Sequence, residues 1–126
     1  MMNFLVIDGA QDKIVFFSHF NKNSYNKSFE ASKNNNDKFS LLLSEFFNEN
    51  NINLSKLNNI FVNQGPGKFS GIRNSIAVAK ALAFTNKLDL YGFNSDDVKD
   101  TNYKNIVDLY NKGVLIKNLV KPNYSS

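Results

Sequence analysis

The chain opens on a continuous apolar run, Phe4-Leu5-Val6-Ile7, that stops at Asp8-Gly9. A run this short, without alternation, predicts a strand buried on both faces and followed by a turn. Lys13 to Phe20 (KIVFFSHF) is rich in β-branched and aromatic residues and pairs with the first strand through a turn at Gly9 to Asp12. Ser24 to Glu30 alternates more loosely and suits a third strand at a sheet edge. The run Asn34-Asn35-Asn36 then breaks the strands, and the period changes. Phe39, Leu42, Leu43 and Phe46 recur at helical spacing, and Phe47 broadens the face. Asp37 stands where it caps this helix or lies in its first turn, and Asn50-Asn51 ends it.

Asn58 to Asn63 (NNIFVN) predicts another buried strand, and a glycine-rich turn leads from it into a helix running from about Ser70 to Asn86. Leu88 to Phe93 is the last strand, and Ser95-Asp96-Asp97 is a start signal for the next element. Tyr103, Ile106, Val107 and Tyr110 form a third helical stripe that Gly113 terminates. The order β-β-β-α-β-α-β with a C-terminal helix describes an α/β fold, a mixed five-stranded sheet with helices packed on it. That pattern matches the ribonuclease-H-like half of the actin-like ATPase architecture.

At 126 residues and 42% hydrophobic, the chain has enough apolar surface to offset its ordering entropy as one domain. Its net charge of +4 suits work near RNA or an acidic partner, but the lysines are scattered instead of forming a block, so the charge is weak evidence for nucleic-acid binding. Without cysteine there is no disulfide framework and no thiolate chemistry. Met1 to Ile7 is too short for a secretory signal, and no window approaches the ~20 apolar residues that span a bilayer. The expectation is a soluble, cytoplasmic protein with no membrane contact.

The stretch QGPGKFSGIR, Gln64 to Arg73, carries most of the candidate chemistry. Pro66 fixes φ, Gly67 allows a conformation that a Cβ opposes, and Ser70 is placed to cap the helix. Gly71 in the first turn lowers helix stability, which points to another backbone passing close by. A Walker A loop fails at Gly67-Lys68-Phe69, and a dinucleotide fingerprint fails because the glycines fall at the first, third and seventh places. Lys68 and Arg73 near a helix start are still able to hold an anion, but a tight turn launching a packed helix accounts for the same residues.

The helix after the loop is apolar on most sides: Ile72, Ile76, Ala77, Val78, Ala79, Ala81, Leu82, Ala83 and Phe84. Arg73, Lys80 and Lys87, seven apart, drift only ~20° per step and make one narrow polar stripe. Ala77 and Ala81, one turn apart, allow a partner helix to approach closely. The Phe39 to Phe47 helix has a similar excess, with Leu41 facing away from its main stripe. From the residues alone, mutual cover within the domain and an interface with another chain both remain open.

The catalytic inventory is short. His19 is the only histidine, which leaves it no second His or Cys for a metal site. No serine lies in a nucleophile-elbow sequence. Asp8 and Asp12 would hold a metal only if both faced one cleft; otherwise Asp8 ends a strand and Asp12 sits in a turn. No catalytic residue, metal ligand or cofactor is assigned.

Gly65, Pro66, Gly67, Phe69, Ser70, Gly71 and Arg73 together spell GPG-x-F-[ST]-G-x-R ahead of an Ala-rich helix. This resembles the marker loop of the TsaB family (also called YeaZ). The resemblance runs from about Phe4 to Asp97, and the ending Lys121-Pro122-Asn123-Tyr124 is similar to the family's Pro-x-Tyr. It implies a shortened form, with a lobe over residues 1–101 and a C-terminal helix and tail over 102–126 in the same compact unit. Family members carry a second lobe, an Asp-Thr where this chain has Asp8-Gly9, and a His-Ser where it has Asn35-Asn36. Those departures bear on nucleotide or catalytic roles more than on docking.

What the resemblance implies about function is a non-catalytic subunit of the complex that modifies the adenosine beside the tRNA anticodon with threonylcarbamoyl. Its partner TsaD performs the transfer, TsaE helps the complex cycle, and tRNA is met indirectly. The chain lacks the paired-histidine metal motif of TsaD-type subunits. The implied interface with TsaD, or with a second copy in a homodimer, uses Phe39, Leu42, Leu43, Phe46, Arg73, Ile76, Ala77, Lys80 and Ala81. Two other readings stand beside it: a small nucleotide-binding or phosphotransfer enzyme using Asp8, Lys68 and Arg73, and a self-associating homodimer.

Overall fold

A computed structural model describes residues 2–98, 103–118 and 120–124. The three opening strands, β1 (Phe4–Asp8), β2 (Lys13–Phe20) and β3 (Asn23–Glu30), form an antiparallel meander. Asn21 and Lys22 turn β2 into β3 with φ of 49° and 70°, and left-handed backbone at both positions matches the twist of the flanking strands. Two helices follow, α1 (Lys33–Asp37) and α2 (Phe39–Glu49), and then β4 (Asn59–Asn63). Next come α3 (Phe69–Asn86), β5 (Asp89–Phe93), α4 (Lys104–Asn111) and β6 (Ile116–Lys117).

The sheet order is β3-β2-β1-β4-β5-β6. β1 lies antiparallel to β2 and parallel to β4, and β4 is parallel to β5. Every residue of β1 and β4 is buried, which is why both read as continuous runs without alternation. β3 sits at the edge, with its exposed and half-buried residues alternating.

The strands' two-residue period divides the core between the sheet faces. Leu5, Ile7, Ile14, Phe16, Ile60 and Val62 meet α2 and α3 on one face. Phe4, Val6, Val15, Phe17, Phe61 and Phe93 meet Tyr103 and Ile106 of the C-terminal segment on the other. Phe16 touches Phe39 edge-on at 5.5 Å and Phe46 at 5.9 Å, and each such side chain contributes ~1.5–3 kcal/mol when fully buried.

Four local expectations change. The Asn run does not merely interrupt the strands: Lys33–Asp37 is a helix, because Ser32 caps it by accepting from the Asn35 N–H at 3.1 Å. Asp37 therefore ends α1, paired with Lys33 at 2.9 Å, and does not start α2. Ser95–Asp97 is a 3-10 turn in which Asp97 accepts from the Asn94 N–H at 2.9 Å, and α4 begins only after Tyr103. A sixth strand, Ile116–Lys117, extends the sheet beyond the five expected by pairing antiparallel with β5. The expected division between residues 101 and 102 lies outside the described residues.

Candidate functional site

Two turns meet at the C-terminal end of β1. The β1–β2 turn carries Gly9 and Ala10, and the loop from β4 to α3 carries Gly65 to Lys68. Lys68 donates its backbone N–H to the Ala10 carbonyl at 2.8 Å. That bond sets the start of α3, so Lys68 is the cap residue, without any side-chain cap, and Ser70 lies exposed inside the first turn. Ser70 is therefore not the cap that its position in the sequence suggests.

The glycines serve this crossing. A Cβ on Gly71 would overlap the Gly9 carbonyl oxygen, and one on Gly67 would overlap that of Ala10. The expectation of a second backbone passing close to Gly71 is thus met by Gly9. The left-handed position in the loop is Gly65, with φ of +108°, and Gly67 is needed for contact and not for conformation. Direct backbone contact joins the two turns, and Lys68 and Arg73, both exposed, line a shallow hollow beside α1 with Lys33, Asn36 and Asp37.

Below the crossing lies Asp8, fully buried. Its carboxylate accepts from the Gln11 side chain at 2.8 Å, the Tyr103 hydroxyl at 2.9 Å, the Asn63 amide at 3.0 Å and the Ala10 N–H at 3.2 Å. Asn63 in turn accepts from the Gly65 N–H at 2.8 Å, and the Ser95 hydroxyl donates to the Pro66 carbonyl at 2.6 Å. Strand ends, glycine loop and C-terminal segment are thereby joined through one carboxylate. Asp12 is exposed in the turn, so the two aspartates do not share a surface. Among the described residues no group of three or more His, Cys, Asp or Glu side chains is placed to hold a metal ion.

Burial pushes the Asp8 carboxyl above its usual 3.8, and its four hydrogen bonds only partly offset this. A raised native value means that the folded chain keeps a proton the unfolded chain has released. Stability contributed at Asp8 therefore falls as pH rises from about 3.8 through the native value. The expected result is that the wild type loses stability relative to Asp8→Asn across that window, as read by urea unfolding at several pH values.

The residues expected at an interface divide by exposure. Phe39, Leu43, Phe46 and Ile76 are buried in the chain's own core, where they hold α2 and α3 to the sheet. Leu42 is half-buried against the same cluster. Arg73, Ala77, Lys80 and Ala81 are exposed on the outer face of α3. Phe84, 89% exposed, continues that face one turn further. Phe69 begins it at 56% exposure, and on α2 Leu41 is 55% exposed.

Two contacts made by the C-terminal segment are not encoded in any local pattern. Tyr124 stacks on Phe69 with ring centroids 4.7 Å apart, and Asn123 donates to the Gln64 carbonyl at 2.7 Å, so the tail straps the glycine loop. Tyr103 looked like one more apolar residue of a helix stripe, yet its hydroxyl serves Asp8. His19 is half-buried, 3.3 Å from the Ser24 hydroxyl and stacked beside Phe4.

Comparison with known proteins adds identity to this geometry. The family model described as TsaD: tRNA N6-adenosine threonylcarbamoyltransferase matches residues 24–98. A protein of Buchnera aphidicola subsp. Schizaphis graminum, named tRNA threonylcarbamoyladenosine biosynthesis protein TsaB, is 30% identical over 91 residues. The match covers 72% of this chain and 43% of that protein, so the chain spans less than half the length of the curated relative. Among solved structures, YeaZ from Pseudomonas aeruginosa superposes with a TM-score of 0.68 at 19% identity, over 75% of this chain and 44% of its own. RuvC of T. thermophilus, solved with a Holliday junction substrate, superposes with a TM-score of 0.59 at 7% identity, over 93% of this chain and 99% of its own. The fold is ribonuclease-H-like, of the actin-like ATPase class.

Proposed function

The chain belongs to the TsaB (YeaZ) family, within the family described as tRNA N6-adenosine threonylcarbamoyltransferase, and on that premise we propose that it is a non-catalytic partner subunit in tRNA threonylcarbamoyladenosine biosynthesis. It acts in the cytoplasm by docking on TsaD, which carries out the transfer, with TsaE in the wider complex and tRNA met only through it. The observation that carries this reading is the outer face of α3, where Phe69, Arg73, Ala77, Ala81 and Phe84 form one exposed stripe about a turn apart. Side-chain size at the contact sets how closely helices approach, within roughly 8–10 Å between axes, and Ala77 and Ala81 favour the short end.

Arrangement of the polar groups supports an accessory role. Asp8 is enclosed by four hydrogen-bond donors, and the glycine loop is spent on a backbone crossing. One histidine and no cysteine leave this chain without a paired-histidine metal motif. Catalytic chemistry therefore falls to the partner, and this chain supplies a rigid docking helix.

Co-purification with the TsaD of the same organism is the direct test. The expected result is a stable heterodimer by size-exclusion chromatography with light scattering. A monodisperse monomer that elutes apart from TsaD would sink the proposal. Tight ATP or ADP binding by calorimetry, lost in Arg73→Ala, would favour the enzyme reading instead. A dimer formed without TsaD, and not opened by it, would favour self-pairing.

A further inference from the structure

Arg73 is an exposed cation held against an aromatic pair. Its guanidinium carbon lies 5.3 Å from the centroid of the Phe69 ring, and Phe69 is stacked in turn by Tyr124 at 4.7 Å. The three side chains come from the start of α3 and from a tail more than fifty residues away in sequence. That tail is anchored by fully buried Val120 and by the bond from Asn123 to Gln64. A guanidinium held beside a ring by cation–π attraction keeps its N–H groups available to the two oxygens of a carboxylate. Among the described residues no carboxylate pairs with Arg73; the ion pairs are Lys27–Glu49, Lys33–Asp37 and Lys117–Asp89.

Charge along the stripe is of one sign. α3 contains no acidic residue, while Lys68, Arg73, Lys80 and Lys87 run along or flank it. A two-fold pairing of α3 with a second copy would set these four cations against the same four. Of the nearby acids, Glu49 of α2 is engaged by Lys27 at 2.8 Å and Asp37 of α1, which lines the same hollow as Lys68 and Arg73, by Lys33 at 2.9 Å, which leaves Glu45 of α2 to answer them. Between the cations Ala77, Ala81 and Phe84 present apolar surface, which suits a protein helix better than a phosphate backbone.

We infer that Arg73 is a carboxylate clamp, oriented by the Phe69–Tyr124 stack, and that its occupant is an apolar helix of a different protein carrying an Asp or Glu opposite Arg73. This rests on the docking role proposed above and adds to it the chemistry of the partner surface and a task for the tail. The partner helix lies along Ala77 and Ala81 with its carboxylate at the Phe69 end. Because the clamp is electrostatic, binding weakens with salt.

Calorimetric titration of the full chain against TsaD of the same organism, at low and high salt, tests the inference. Arg73→Ala is expected to weaken binding about thirtyfold, in line with removal of one member of a desolvated charge pair. Arg73→Lys is expected to restore little of this, since an ammonium lacks the planar fork. Tyr124→Ala is expected to lose roughly three- to tenfold, because it frees the platform without removing the charge. All three variants should melt within a few degrees of wild type. Wild-type binding that is insensitive to salt and unchanged in Arg73→Ala overturns the clamp while leaving docking intact. Failure of the wild type itself to bind TsaD overturns docking, and the clamp with it. A homodimer that Arg73→Ala dissociates, or tRNA binding that Arg73→Ala abolishes while TsaD binding is kept, overturns the assigned occupant.

Discussion

Replacing Gly71 with alanine is expected to destabilise the chain by about 3 kcal/mol or more, at or above the upper end of ordinary overpacking. The added methyl would overlap the carbonyl oxygen of Gly9, and backbone cannot rotate away as a side chain can. Neither partner is free to move. Gly9 directly follows β1, the strand held on both sides by β2 and β4. α3 is fixed at its start by the Lys68 to Ala10 bond and along its length by buried Ile72, Ser75, Ile76 and Ala79. Separating the two would strip that hydrogen bond and loosen the cover over Asp8. A domain of this size has only ~5–15 kcal/mol of stability to lose. Gly113→Ala is the control: nothing lies within 4 Å of its added Cβ, and only its φ of +71° opposes the change, for about 1–2 kcal/mol. Urea midpoints should fall in that order. A Gly71→Ala chain that unfolds at the wild-type midpoint would mean that the backbones do not cross there.

The same crossing shows how far the sequence could be read. Gly71 stands in the first turn of a helix, where glycine is unfavourable, so its presence signalled a close neighbour. The identity of that neighbour, Gly9, lies 62 residues away, and no local pattern encodes it. The strands were legible because burial on two faces writes a continuous run and burial on one writes alternation. Ile116–Lys117 escaped notice because two exposed residues show neither. α1 escaped because its helix is set by the Ser32 cap and by neighbours such as Asn74, whose amide donates to the Asn36 carbonyl at 3.1 Å, and not by apolar period. Composition showed too much apolar surface on α3, but not which side of the helix faces the sheet. Ile76 and Ala77 are adjacent in sequence; one is buried in the core and the other faces solvent. Similarly, Phe39, Leu43 and Phe46 recur at helical spacing because they fill the domain's own core. The apolar surface left exposed on α2 and α3 is narrower than the sequence suggests, and it includes Phe84.

Ala77→Arg is expected to reduce affinity for TsaD about a hundredfold, or ~2.7 kcal/mol, while leaving the fold's stability within ~0.5 kcal/mol. Both halves follow from one fact, that Ala77 is exposed midway along the stripe, flanked by Arg73 and Ala81 on successive turns. A methyl there lets a partner helix lie close, whereas an arginine holds it off and adds a charge to a face that already carries Arg73 and Lys80. Phe46→Ala supplies the opposite pattern, since Phe46 is fully buried: a loss of ~3–5 kcal/mol of stability, with binding changed only as far as folded protein is lost. Leu42→Arg should fall between them, because Leu42 is half-buried against the core cluster. Chemical denaturation and calorimetric titration on the same preparations separate the two effects. If Ala77→Arg binds TsaD like wild type, the outer face of α3 is not where the partner sits. If it unfolds the chain, Ala77 belongs to the core.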